Sequence, residues 1–232
     1  MVPIGGGGLI AGVATWIKEN RPDVKIIGVE EATCNAMSQS RARSKVIELP
    51  PAPIIADGIG VRRVSANNLD TVTRLVDDIV SVTSDEIANA ILLMLEVEML
   101  VTEGAAAVTL AALLNERVPG LRGKNVVAII SGGNIDVNLL SRIINRGLAF
   151  DGRVTKLDTV IMDSPGALEQ MLRTFREPGA NVLEVAHHRF SGDAPIGQIV
   201  VSITAETRNE AHIEELKALL EKRGYALTAQ TR

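Results

Sequence analysis

Residues 2–13 read Val2-Pro3-Ile4-Gly5-Gly6-Gly7-Gly8-Leu9-Ile10-Ala11-Gly12-Val13 (VPIGGGGLIAGV), and this stretch decides the fold class. Four consecutive glycines remove every Cβ over a short span, so backbone N–H groups can converge on an anion. Leu9 to Lys18 (LIAGVATWIK) reads as a helix whose N-terminal dipole favours negative charge at the loop. It is expected to end near Asn20, because Pro22 forces Arg21 towards an extended conformation. No strand is read in Met1 to Ile4 to hold the loop.

Outward from this loop, Lys25 to Glu30 (KIIGVE) is an apolar run of buried-strand type, and Cys34 to Arg43 reads as helical. Leu49-Pro50-Pro51-Ala52-Pro53 excludes helix and central strand, so Glu48 to Arg63 is assigned to loop, with a polar turn at Ala56-Asp57-Gly58. A helix over Asn67–Val76, a strand over Asp78–Val82 and a helix capped by Ser84 and running to about Leu100 follow. An alanine-rich helix covers Gly104–Glu116. Lys124 to Ile130 (KNVVAII) reads as another buried strand, ended by Ser131-Gly132-Gly133-Asn134 and a helix to about Asn145. Alternating helices and apolar strands predict an α/β domain with a parallel sheet covered on both faces.

After Gly147 the pattern changes. The elements Val154–Met162, Pro165–Arg176, Asn181–Arg189, Gly197–Thr204, Asn209–Arg223 and Tyr225–Thr228 follow a βαββαβ order, which builds a four-stranded antiparallel sheet with two helices on one face, the ferredoxin-like arrangement. The expected division is therefore a first domain over residues 1–147, a linker over 148–152 around Asp151-Gly152-Arg153, and a second domain over 153–232.

Composition narrows the function classes. The 232 residues carry 24 Lys+Arg against 28 Asp+Glu, a formal charge of −4, with five aromatic residues in all, which disfavours a nucleic-acid partner. No stretch approaches the roughly 18 uninterrupted apolar residues of a membrane span. The single cysteine, Cys34, allows no intrachain disulfide and is read as a buried, inert thiol, and the expectation is a cytoplasmic protein.

Two glycine-containing turns, Gly5–Gly8 and Ser131–Asn134, are expected at strand C-terminal ends, where open α/β sheets bind ligands. The first offers an anion site. The second offers the Ser131 hydroxyl, able to donate to or accept from a ring nitrogen. Asp57 is read as a turn former.

The motifs VPIGGGGLIAGV, ADGIGV, DDIVSVTSDEI, TEGAAAV and VVAIISGGNID stand in the order seen in one family. The chain resembles the threonine dehydratase (threonine ammonia-lyase) family, pyridoxal-phosphate enzymes of fold type II that also include serine racemase. The second domain resembles an ACT domain, on Asp163-Ser164-Pro165-Gly166-Ala167-Leu168 and Gly179-Ala180-Asn181-Val182. The resemblance implies a partial three-layer parallel-sheet domain followed by a ferredoxin-like domain, with pyridoxal 5′-phosphate as cofactor. It implies that Gly5, Gly6, Gly7 and Gly8 bind the cofactor phosphate, that Ser131 hydrogen-bonds the pyridine nitrogen, and that Glu103 lies beside the cofactor. A neutral hydroxyl at the ring nitrogen tempers the electron sink and suits β-elimination. Glu30 matches a carboxylate that binds a divalent cation in some relatives, but Ala36 stands where the companion aspartate belongs, so no metal is expected.

The implied reaction converts threonine, or serine as a second candidate, with loss of ammonia; threonine gives 2-oxobutanoate. It needs a Schiff-base lysine in a Ser-Phe-Lys context that is absent here, so the cofactor site is expected to be incomplete. Of the seven lysines, Lys18 stands roughly 15 Å along its helix from the loop. Lys25 and Lys124 begin strands, Lys45 lies on a loop, and Lys156, Lys217 and Lys222 belong to the second domain. The chain is therefore read as a C-terminal portion, truncated or half of a split enzyme, inactive alone, and assembling as a homo-oligomer or with a missing N-terminal half. In the second domain Asp163, Pro165, Gly166 and Asn181 are candidates for an amino-acid effector. His187 and His188 are second-tier candidates that point to opposite faces of their strand. The alternative reading is a non-catalytic, amino-acid-binding regulatory module.

Overall fold

The computed structural model describes residues 1–188 and 195–228. The chain divides into two compact units, Met1–Ile143 and Ile144–Arg232.

In the first unit, strands β1 (Val2–Pro3), β2 (Ile27–Glu31) and β3 (Asp78–Val82) form a parallel sheet in that spatial order, with Val2 opposite Gly28 and Ile27 opposite Asp78. The short β1 corrects the expectation that no strand holds the glycine loop. The Ile4 N–H donates to the Val29 carbonyl at 2.8 Å, which prolongs the pairing up to Gly5. The expected strand over Lys124–Ile130 is not formed as regular structure. Its backbone still runs parallel to the chain start, since the Met1 ammonium donates to the Val127 carbonyl at 2.6 Å and the Ile129 N–H to the Met1 carbonyl at 3.2 Å. Pro3 has no N–H to extend that ladder.

Helix α1 (Gly8–Asn20) follows the loop and ends as Pro22 requires. Its Lys18 ammonium meets Asp77 at 2.8 Å, and the same carboxylate accepts the Ile26 N–H at 2.7 Å, which ties the end of α1 to the start of the strands. The expected helix from Cys34 resolves into a single 3₁₀ turn, Ala32–Cys34, and α2 (Ala36–Ala42). Helix α3 (Ala66–Leu75) is capped by the Ser65 hydroxyl, which accepts the Asn68 N–H. The three helices meet Ile4 of the glycine-loop stem in one cluster built on Ile10, Ala14, Met37, Leu69 and Val72.

Helix α4 (Ser84–Val97) starts one residue earlier than expected. Thr83 is the cap, in a reciprocal box with Glu86, and Ser84 is drawn instead to a buried carboxylate described below. Helix α5 (Gly104–Leu114) contacts all three strands and α4. Its run of small residues is buried from Gly104 to Thr109 and again at Ala111 and Ala112, as expected of a helix enclosed on every side. With β2 buried at every residue, the sheet is covered on both faces. Helix α6 (Val137–Phe150) continues through residues 148–150, where a linker was expected.

The second unit contains β4 (Val154–Met162), α7 (Ala167–Arg176), β5 (Asn181–His188), β6 (Gln198–Glu206), α8 (Glu210–Lys222) and β7 (Leu227–Thr228). Its antiparallel sheet has the order β5-β6-β4-β7, the ferredoxin-like arrangement of a βαββαβ chain. Arg189, read as the end of β5, lies outside the described residues. Leu157, Ile161, Val201 and Ile203 on the sheet pack with Met171, Phe175, Leu216 and Leu220 of the two helices. Among the described residues no helix is long and apolar enough to cross a membrane.

Candidate functional site

The glycine loop leaves the C-terminal edge of the parallel sheet. Gly5 packs where a Cβ would stand 2.9 Å from the Ile59 Cα, and Gly7, the residue capping α1, has φ +89° with Met37 and Asn68 against it. A side chain at Gly7 would overlap the Met37 Cε, so glycine is required there by backbone and by space. The carbonyl of Gly6 accepts from Asn68 Nδ2 at 2.8 Å, and that of Gly7 accepts the Ala11 N–H at 3.0 Å. By contrast, the N–H groups of Gly5, Gly6, Gly7 and Gly8 donate to no protein acceptor among the described residues. Four free donors at a helix N-terminus form a cradle for an anionic group.

Beyond Ile130, which runs parallel to the β1 stem, the chain enters the Ser131–Asn134 turn at the same edge of the sheet. Ser131 is exposed there. Glu103, which caps α5, holds this turn: its N–H donates to the Gly132 carbonyl at 3.2 Å and its carboxylate accepts the Asn134 N–H at 3.2 Å. A Cβ at Gly132 would lie 2.6 Å from Glu103 Oε1, so glycine lets the carboxylate close on the turn. Glu103 thus acts on the Ser131 segment as a positioning group. Next to it, Thr102 is buried with no partner for its hydroxyl among the described residues.

Glu31, missed in the sequence reading, joins the parts. It is wholly buried, and its carboxylate accepts the Ala56 N–H at 3.0 Å, the Ile55 N–H at 3.3 Å and the Ser84 hydroxyl at 2.6 Å. The 55–59 loop so held touches Gly5 through Ile59 and Gly104 through Ile55 and Ala56. A doublet of acids closing an apolar strand was the available signal, since adjacent residues of a strand face opposite layers and both layers are covered. Glu30 accepts the N–H groups of Met37 and Ser38 and the Ser38 hydroxyl. Burial raises its carboxyl above the ordinary value, with those hydrogen bonds opposing. Among the described residues no group of three or more His, Cys, Asp or Glu side chains is placed to hold a metal. Cys34 is buried, and burial, then Glu30 and Glu31, push its thiol up, away from the reactive thiolate. Asp57 accepts its neighbour's Gly58 N–H within a 3₁₀ turn.

Of the first-unit lysines, Lys18 is engaged by Asp77 and the Val24 carbonyl, and Lys25 precedes β2 at the opposite sheet edge. Lys124 sits in the turn before the parallel segment. Arg41, in the last turn of α2, reaches the Val76 carbonyl ahead of β3, so Lys45 follows α2 at that opposite edge as well.

In the second unit a cavity of about 900 Å³ is lined by Ser164, Pro165, Gly166, Gln170, Arg173 and Tyr225 among others. Gly166 caps α7 with φ +87°. Asp163 precedes the turn, its N–H donating to the Gly197 carbonyl. Asn181 is not brought to this turn. It pairs with Glu206, which pairs with Val154, at the far end of a nine-residue strand and so about 27 Å from Met162. Its amide is engaged by the Glu206 carboxylate at 2.7 Å. His187 and His188 are both exposed, and His188 Nε2 lies 3.1 Å from the Ser202 hydroxyl.

Comparison with known proteins matches this architecture. The chain is 44% identical over 225 residues to an L-threonine ammonia-lyase of Thermotoga maritima and 45% identical over 225 residues to one of Geobacter sulfurreducens, in each case over 97% of this chain and 56% of the relative. It therefore spans little more than half the length of these relatives. The processed form of threonine deaminase isoform 2 from Solanum lycopersicum superposes with a TM-score of 0.57 at 33% identity, over 62% of this chain and 42% of that one. The family described as pyridoxal-phosphate dependent enzyme matches residues 1–132. With its parallel sheet, glycine cradle and Ser131 turn at one edge, the chain belongs to the pyridoxal-phosphate-dependent enzyme family and is similar within it to threonine ammonia-lyases.

Proposed function

We propose that this chain is the cofactor-cradling and regulatory portion of a threonine ammonia-lyase, converting threonine, with serine as the other candidate substrate, and releasing ammonia. The observation that carries this reading is the set of free N–H groups at Gly5–Gly8 on the same sheet edge as Ser131. These residues fit pyridoxal phosphate: an anion cradle for its phosphate and a hydroxyl for its ring nitrogen. When bound, that cofactor supplies a sink for the electron pair left as a proton departs the amino-acid α-carbon. The Gly5, Gly6, Gly7 and Gly8 amides bind and orient the phosphate, the α1 dipole favours its charge, and the Ser131 hydroxyl meets the ring nitrogen. Glu103 keeps the Ser131 turn in place.

The described lysines of the first unit are directed to the opposite edge or engaged in ion pairs, and on this ground the 232-residue chain alone is assigned cofactor binding without turnover. Residues 153–232 are read as an ACT domain that takes an amino-acid effector at the Ser164–Gly166 turn. Binding of pyridoxal phosphate to the purified chain, followed by borohydride reduction and peptide mass spectrometry, tests the reading. Saturable binding without a lysine adduct, and lyase activity only when the N-terminal portion of a full-length relative is added, are expected. A stoichiometric adduct with turnover by the chain alone would overturn the assignment of inactivity. The second reading, a non-catalytic amino-acid sensor, is favoured by the cavity lying wholly within the second unit. It predicts amino-acid binding with no binding of the cofactor.

A further inference from the structure

The glycine loop poses a problem that its own sequence does not solve. Glycine removes the steric restraints that normally set peptide orientation, so a cradle of glycines needs another group to aim its N–H donors. For Gly8 the aiming group is α1 itself, because Gly8 is the first helical residue and the helix points its N–H out of the end. The Ile4 N–H is fixed by the Val29 carbonyl, which sets the entry into Gly5. Neither element reaches the peptide between Gly6 and Gly7.

We propose that Asn68 is the positioning residue that aims the Gly7 N–H at the anionic group of the cofactor. Its Nδ2 donates to the Gly6 carbonyl at 2.8 Å across 62 residues of sequence. In a planar trans peptide the C=O and the following N–H point in opposite directions, and no peptide bond described here is cis. Anchoring the Gly6 carbonyl on α3 therefore turns the Gly7 N–H away from α3, where it meets no protein acceptor among the described residues. The anchor is itself stiff. Asn68 occupies the third position of α3, its own N–H is taken by the Ser65 cap at 3.1 Å, and Leu69 and Val72 of the same helix are buried in the cluster that also holds Ile10 and Met37. Contact is close enough that a Cβ on Gly7 would stand 3.1 Å from the Asn68 Cβ. The carboxamide is thus required as a donor and as a wall, and it needs no contact with the cofactor.

This inference rests on the cradle reading of Gly5–Gly8, and the test separates the two. The ¹H–¹⁵N resonances of Gly7 and Gly8 are followed in the full 232-residue chain while inorganic phosphate is added, in the wild type, in Asn68→Ala and in the near-isosteric Asn68→Leu. The wild type is expected to give saturable shifts at both amides. In the variants phosphate affinity should fall about five- to tenfold, the worth of one hydrogen-bonded orientation, with the Gly7 response lost before that of Gly8. Pyridoxal phosphate should lose affinity by a similar factor. Unchanged phosphate affinity in both variants overturns the role of Asn68 and leaves the cradle standing. Absence of a saturable shift in the wild type overturns the cradle reading itself. Resonance changes spread through residues 1–143 in the phosphate-free variants, in place of changes confined to the glycine loop and the first turn of α3, overturn positioning in favour of a general structural role.

Discussion

Replacing Glu31 by alanine tests the idea that one buried carboxylate organises the site edge. The acceptor serves three donors of unequal standing. The Ala56 N–H, at 3.0 Å, belongs to a fully buried residue and has no route to water, so its loss carries the full penalty of an unmade buried hydrogen bond, about 1–3 kcal/mol. The Ile55 N–H, at 3.3 Å on a half-buried residue, adds about 1 kcal/mol. The Ser84 hydroxyl can rotate towards solvent and adds little, and the Thr33 hydroxyl, at 3.5 Å, is beyond useful range. Glu31→Ala should therefore cost about 2–4 kcal/mol. Glu31→Gln keeps one acceptor oxygen for Ala56 and can donate to Ser84, and should cost about 1–2 kcal/mol. Urea unfolding gives the total, and amide hydrogen exchange resolved over residues 55–59 locates it. Protection of Ala56 should fall most, with Ile59, the loop's contact to Gly5, following. Combined with Ser84→Ala, the alanine variant should be non-additive, because the two side chains share one bond. A loss below about 1 kcal/mol in Glu31→Ala, or unaltered protection at Ala56, would refute the clamp.

Four further outcomes follow from the same structure. Gly104→Ala places a Cβ on the Ile55 carbonyl and 2.8 Å from the Ala56 Cα, both backbone, and should destabilise by at least about 2 kcal/mol despite the better helix propensity of alanine. Gly12→Ala in α1 meets nothing within 4 Å and should stabilise by about 0.5–1 kcal/mol in a thermal or urea melt. Gly7→Ala, at φ +89°, should lose phosphate binding measured by calorimetry and cost about 1–2 kcal/mol of stability, while Gly8→Ala, with open space, should keep the fold. At Asp77 burial raises the carboxyl, but the Lys18 ammonium and the Ile26 N–H outweigh it and hold it below the ordinary value. Its folded value is the depressed one, so its stabilisation is present above the ordinary carboxylate range near pH 4 and is lost as pH falls through the folded value. The stability gap between wild type and Asp77→Asn should be open at pH 7 and close in strong acid; a gap independent of pH would sink this assignment.

The sequence by itself determined the layers, the loop and the family. Apolar runs such as Lys25–Glu30 and Asp78–Val82, the glycine run before an apolar helix, and the βαββαβ order after Gly147 are short-range patterns set by backbone geometry, legible within a window of about ten residues. The tertiary structure decided what depends on residues far apart. Glu31 reaches Ala56 and Ser84, Asn68 reaches Gly6, and Glu103 reaches Asn134, over 25 to 62 positions, and no local periodicity records such bonds. The same cause accounts for the differences from expectation. Ser84 yields the capping role to Thr83 because a buried carboxylate claims its hydroxyl. Residues 124–130 read as a strand, yet beyond the turn in which the Lys124 N–H meets the Leu121 carbonyl, only Met1 offers them a backbone partner among the described residues. Asn181, close in sequence pattern to the Asp163–Gly166 turn, is carried to the other end of the sheet by the antiparallel register of β5 on β6. Secondary structure is a choice the chain makes locally, whereas a site is closed by side chains whose partners exist only once the layers have packed.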